Sequence, residues 1–124
     1  MSAEPVPRPA PDPRSPWIDQ LRLMRPRQWP ILSAQLAVGV LCSPAVRAAM
    51  ESDGSLSWPP LAAAWFAWVV ALNGGTLAYN SAYDRDTEDI AYLSSPPLPP
   101  ESTARNMLVL MIVGVGVGWL ASPA

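Results

Sequence analysis

The chain has 124 residues, half of them apolar, with eight basic residues (all arginine), ten acidic residues, no histidine and a net charge of −2. That balance excludes the basic face of a nucleic-acid binder, and a single cysteine excludes a disulfide framework or a thiolate metal centre. The apolar residues are clumped into long uncharged runs separated by charged segments, which is the distribution of a membrane protein and not of a globular domain.

Residues 1–16 contain six prolines (5, 7, 9, 11, 13 and 16) among polar residues. They offer no apolar core that would serve as a signal peptide. Alternating prolines favour an extended, solvated backbone with little to bury, so residues 1–17 are expected to form a disordered, proline-rich cytoplasmic tail. Ile18, Leu21 and Leu23, with Arg22 and Arg25, predict a short interfacial helix leading into the first span.

Trp29 to Val46 is uncharged, interrupted only by Pro30, Ser33, Gln35, Ser43 and Pro44. This predicts a first span over about 29–46, with Cys42 buried as free cysteines commonly are. The second uncharged run predicts a span over about 58–79, with Pro59 and Pro60 suited to its first turn. The third span, about 106–121, is glycine-rich and barely long enough, because crossing ~30 Å of hydrocarbon takes roughly 20 helical residues. Within the second span Trp65 and Trp68 are one turn apart and should share a face, packing on lipid or helices before lining a cavity. Of Gly114, Gly116 and Gly118, only Gly114–Gly118 has the GxxxG spacing of close helix approach.

Five arginines (8, 14, 22, 25 and 27) precede span one, and Arg85 and Arg105 lie between spans two and three. Only Arg47 lies between spans one and two. The positive-inside rule therefore places the N-terminus and the segment after span two in the cytoplasm, and the Arg47–Ser57 loop outside. The chain reads as a multi-pass protein of an inner or plasma membrane. Trp29, Trp58 and Trp119 sit at the proposed boundaries, where aromatic belts form.

Four of the ten acidic residues, Asp84, Asp86, Glu88 and Asp89, fall directly after span two. Ionisable groups crowded against lipid call for a partner or a function, and a hard divalent cation is the natural partner of clustered oxygens. If the helix runs through residue 88, Asn80, Asp84 and Glu88 follow one another at i, i+4 and i+8, within about an 80° sector. Asp86 and Asp89 then project elsewhere and are secondary candidates. A Mg²⁺ ion is typically held by one or two carboxylates plus substrate phosphates, so the cluster reads as half of a metal-diphosphate site. Asn80 could add a neutral oxygen or bind phosphate, and Arg85 or Arg105 could pair with phosphate oxygens. A solvated acidic loop is the plain alternative. A calcium loop is not, since Asp89 and Ser95 stand where an EF-hand needs glycine and glutamate.

The spacing Asn80-x-x-x-Asp84-x-x-x-Glu88 resembles the first aspartate-rich motif of the UbiA superfamily of intramembrane prenyltransferases. Leu23-Met-Arg25-Pro26-Arg-Gln-Trp29-Pro30 resembles that family's "LRP..W" lead-in to its first helix. Ile90-Ala-Tyr-Leu93 and Pro96-Pro-Leu-Pro-Pro100 are similar to its connection into the third helix. The resemblance covers roughly residues 20–120, and its style is most similar to the carotenoid-prenylating, lycopene elongase-like branch. It departs from the family at Glu88, where aspartate is common, at Ile31-Leu32, where a lysine often follows the tryptophan, and at Ser94-Ser95, where an arginine often precedes the prolines.

The resemblance implies an all-α, polytopic membrane fold in which residues 18–124 are the N-terminal part of a nine-helix bundle. It implies Mg²⁺-dependent ionisation of a polyprenyl diphosphate and transfer of the prenyl group to a lipophilic acceptor. Carried onto this chain, Asn80, Asp84 and Glu88 would hold Mg²⁺, and Asn80, Arg25 and Arg85 would contact diphosphate, with Arg25 near the same cytoplasmic mouth. The family's second aspartate-rich motif has no counterpart here, since no acidic residue follows Glu101. The expectation is a chain inactive alone, with Asn73, Thr76 and Asn80 facing lipid or a second polypeptide that supplies the remaining helices. The rival expectation is a non-catalytic membrane protein or anchor that binds a partner through its Gly114–Gly118 face.

Overall fold

A computed structural model describes residues 15–54, 56–85 and 88–121, which are mostly helical. The only pairing outside helices among them is an isolated antiparallel bridge between Ile90 and Leu93. The expected tail lies outside the described residues except for its last three positions, and two of these are helical, since Pro16 opens α1 (Pro16–Leu23) at a position where its missing N–H costs nothing.

Two residue–proline steps break the first third of the chain. Proline disfavours the right-handed helical region for the residue before it. Arg25, before Pro26, takes φ 53° and ψ 61°, and a single 3₁₀ turn over Pro26–Gln28 leads into α2 (Trp29–Cys42). Ser43, before Pro44, takes φ −70° and ψ 125°, and the chain restarts as α3 (Pro44–Asp53). The helical run Pro16–Cys42 bends by 66° into Pro44–Ser52. The first span expected over 29–46 is therefore corrected to a 14-residue helix ending at Cys42, about 21 Å long, that turns sharply at Ser43. Most of the expected Arg47–Ser57 loop is helical, and α3 stops at Gly54, whose φ of 66° suits a left-handed cap. Cys42 is exposed, not buried, because it sits on the last turn of α2 just before the bend.

Trp58–Asp84 is a 27-residue helical run long and apolar enough to cross a membrane. It begins as α4 (Trp58–Trp65) with prolines in its first turn, passes through a π-helical segment (Phe66–Gly74), and ends as α5 (Gly75–Asp84). A second such helix, α6 (Thr103–Ala121), starts three residues before the expected boundary and has 19 residues, about 28 Å of rise. Two helices thus meet the requirement for membrane spans, or three if the bent Pro16–Cys42 and Pro44–Ser52 pair counts as one.

The two long helices approach through small residues. Ala67, Ala71 and Gly75, spaced by four, line one side of the second span. Gly75 lies against the Met107 carbonyl and Met111, Gly114 against Ala71, and Gly118 against Ala67. The Gly114–Gly118 face thus packs against the second span within the chain. Gly116, on the other side of α6, meets nothing within 4 Å. Outward residues of α6, such as Ile112, Val115, Trp119 and Leu120, are apolar and exposed, as lipid-facing residues are.

At one end of this pair a cap closes the bundle. Leu23, Met24, Ala78, Leu93 and Met107 form a buried cluster, with Trp29, Val70, Tyr79, Ile90 and Leu110 against it. Of the segments that carried the family resemblance, 23–30 and 90–93 supply residues to this cluster or its margin. The α1 helix is consequently not simply laid on a surface. Its Leu23 and Met24 are buried in the bundle, and its buried Gln20 bridges to α6. Gln20 Nε2 donates to Ser102 Oγ (3.1 Å), and Asn106 Nδ2 donates to Gln20 Oε1 (3.2 Å). Gln20→Leu should lower stability by about 1 kcal/mol, because Ser102 and Asn106 lose their bonds to Gln20 and keep only the 3.4 Å bond between themselves. Thermal denaturation in detergent micelles measures this, and an unchanged midpoint would show that α1 does not depend on the bridge.

Candidate functional site

Helix α5 brings two of the sequence-predicted residues together. Asn80 and Asp84 stand one turn apart on its exposed face. Between them Ser81 is buried and donates its hydroxyl to the Leu77 carbonyl (3.0 Å), so the opposite face packs into the bundle. Tyr79 and Tyr83 form a neighbouring pair with ring centroids 5.1 Å apart and hydroxyl oxygens at 3.3 Å.

Glu88 does not join this pair on a helix. The helix ends at Asp84, and Arg85 takes a left-handed conformation (φ 48°, ψ 45°) while its N–H still bonds the Ser81 carbonyl at 3.2 Å. A left-handed residue turns the chain off the helix axis, so the expected ladder through residue 88 is corrected to its first two rungs. Glu88 is exposed in the loop that follows. Asp89 is engaged by the loop itself, its Oδ1 accepting the Ser95 N–H at 2.8 Å. Asp86 lies outside the described residues. Among the described residues no three His, Cys, Asp or Glu side chains converge to hold a metal ion. What α5 presents is one carboxylate and one amide, a number that suits Mg²⁺ only when phosphate oxygens and water fill its other positions.

Arg25 stands in the turn between α1 and α2. Its neighbour Met24 packs on Gly74, with the Met24 carbonyl 3.6 Å from where a Gly74 Cβ would stand. Gly74 is ten residues before Asp84, so the turn lies roughly 10–15 Å along the helix from the acidic end. Burial of Leu23 and Met24 draws it inward. Arg25 holds a left-handed conformation that is uncommon away from glycine, and its Nε is buried with no hydrogen-bond partner among the described residues.

Beside this turn, Gln28, Trp68, Leu72, Asn73, Thr76 and Leu77 line a cleft of about 270 Å³. Asn73 Nδ2 donates to the Trp68 carbonyl (2.7 Å), and Thr76 Oγ1 donates to Met111 Sδ (3.4 Å). Trp68 lines the cleft, whereas Trp65 meets Trp29 edge-on at 6.1 Å and donates to Ser33 Oγ at 2.7 Å. Asn73, Thr76, Asn80 and Asp84, spaced three, four and four, make a polar stripe from the middle of the second span to its end. That spacing is readable in the sequence; the cleft beside Gln28 is not, because it depends on how the Arg25–Pro26 turn folds. No protein-family model, curated protein or solved structure matches this chain.

Proposed function

We propose that this chain forms the N-terminal part of a Mg²⁺-dependent intramembrane prenyltransferase, which moves a prenyl group from a polyprenyl diphosphate to a lipophilic acceptor. The observation that carries the reading is the polar stripe ending at Asn80 and Asp84. Polar groups along an apolar helix are expensive in lipid and usually face a ligand, water or a partner helix. A stripe that runs from a half-apolar cleft to a carboxylate fits an amphipathic substrate, with its hydrocarbon along the cleft and its diphosphate at the polar end. Asp84 and Asn80 would anchor the Mg²⁺-diphosphate, Arg85 lies next to them, and Glu88 would join by movement of the loop. A second carboxylate cluster, needed to complete the clamp, would come from further helices.

Mn²⁺, which replaces Mg²⁺ at oxygen sites and is visible by electron paramagnetic resonance, tests the site without the remaining helices. With the chain in nanodiscs, Mn²⁺ and inorganic diphosphate should each strengthen binding of the other. Asp84→Asn should weaken Mn²⁺ binding at least tenfold, about 1.4 kcal/mol. Binding that Asp84→Asn leaves unchanged would remove Asp84 from the site and favour the anchor reading, in which the acidic end is only a solvated loop.

A further inference from the structure

On the loop side of the cap, Arg22, Pro26, Arg27, Tyr92, Leu93 and Ser94 line a second cleft of about 190 Å³. Two guanidinium-bearing residues share it. Arg22 uses one terminal nitrogen on the Ser95 carbonyl at 3.4 Å, which leaves most of its donors available. Arg27 is exposed. The cleft also has apolar walls, from Pro26 and the buried Leu93. Next to it, α1 turns Trp17, Ile18 and Leu21 outward, at 70%, 49% and 48% exposure. These three residues, at i, i+1 and i+4, occupy one side of α1. The site stands just before Trp29, where the first apolar helix begins.

A guanidinium fork matches phosphate oxygens, but a free anion has no use for the apolar helix face beside it. A phospholipid uses both. We propose that this cleft binds the phosphate headgroup of an anionic phospholipid, with Trp17, Ile18 and Leu21 lying along its acyl chains. The site is distinct from the Asn80–Asp84 stripe and does not depend on the catalytic reading. It would fix the depth of the α1 cap in the membrane.

The test is native mass spectrometry of the 124-residue chain in detergent micelles, titrated with phosphatidylglycerol or with phosphatidylcholine of the same acyl chains. An arginine near an anionic surface gains roughly fivefold in affinity, so the pair should favour phosphatidylglycerol by about 25-fold. Arg22→Gln with Arg27→Gln should bring the two lipids to within about twofold. Arg22→Lys with Arg27→Lys should retain part of the preference, and Arg47→Gln on α3 all of it. Equal binding of the two lipids by the unsubstituted chain would overturn the proposal, as would a preference that survives the double glutamine variant. Displacement of phosphatidylglycerol by millimolar inorganic phosphate would assign the cleft to a free anion and overturn the lipid assignment.

Discussion

Gly114→Val is expected to loosen the bundle by about 1–3 kcal/mol, the usual effect of forcing extra methyl groups into a close contact. A Cβ on Gly114 would collide with the Ala71 side chain, and the Ala67 carbonyl lies 3.6 Å away. Neither neighbour can yield by a rotamer change, since one is a methyl group on a helix and the other is backbone. The helices would have to move apart, and contacts at Gly75 and Gly118 would weaken with them. Gly116→Val is the matched control on the same helix, because nothing stands within 4 Å of it. It should stay within about 0.5 kcal/mol of the unsubstituted chain. Unfolding in mixed micelles of rising sodium dodecyl sulfate, followed by tryptophan fluorescence, measures both. Equal effects of the two substitutions would show that spans two and three do not meet through Gly114.

Asp84→Asn should reduce Mg²⁺-dependent prenyl transfer at least about a hundredfold, in a preparation where further helices complete the proposed enzyme. Loss of one group that stabilises developing charge commonly has that effect. The helix end at Asp84 makes the prediction sharper, because it separates Asp84 from Glu88. Asn80 and Asp84 hold their relation through one turn of helix, whereas Glu88 must be carried in by its loop. Asn80→Ala should therefore resemble Asp84→Asn, and Glu88→Gln should cause a smaller loss of roughly 10–100-fold, as for a partner outside the inner coordination sphere. Initial rates of labelled prenyl transfer decide the order. A Glu88→Gln loss as large as that of Asp84→Asn would mean that the metal rebuilds the helix through residue 88. Full activity of Asp84→Asn would end the assignment.

The sequence signals that held are those fixed by local chemistry. Trp58-Pro-Pro opens a helix because prolines belong in a first turn, and the absence of charge as far as Asp84 carries that helix to its end. The 29–46 run misleads because counting charges ignores the constraint that Pro44 places on Ser43. The stop at Asp84 has no glycine or proline to announce it; an arginine takes the left-handed position that glycine would normally mark. Likewise the four-residue spacing of Gly114 and Gly118 identifies a close-packing face, but only tertiary structure shows that Ala67 and Ala71 already occupy it. At the candidate site, Asn80 and Asp84 follow from helical spacing, while the packing of the Arg25 turn depends on burial of its neighbours Leu23 and Met24 against residues distant in the chain.

The π-helical segment has a consequence for how the second span is oriented. Hydrogen bonds reaching back five residues instead of four change the angular phase of everything that follows. Trp58–Trp65 and Gly75–Asp84 therefore belong to one rod but are indexed differently around it. Each residue added to or removed from an α-helical ladder rotates the far end by about 100°. Phe66–Gly74 thus sets the azimuth of Asn80 and Asp84 relative to the face that α4 turns toward its neighbours. The bearing of the acidic end is written in the middle of the long apolar helix, in a stretch that carries no charge.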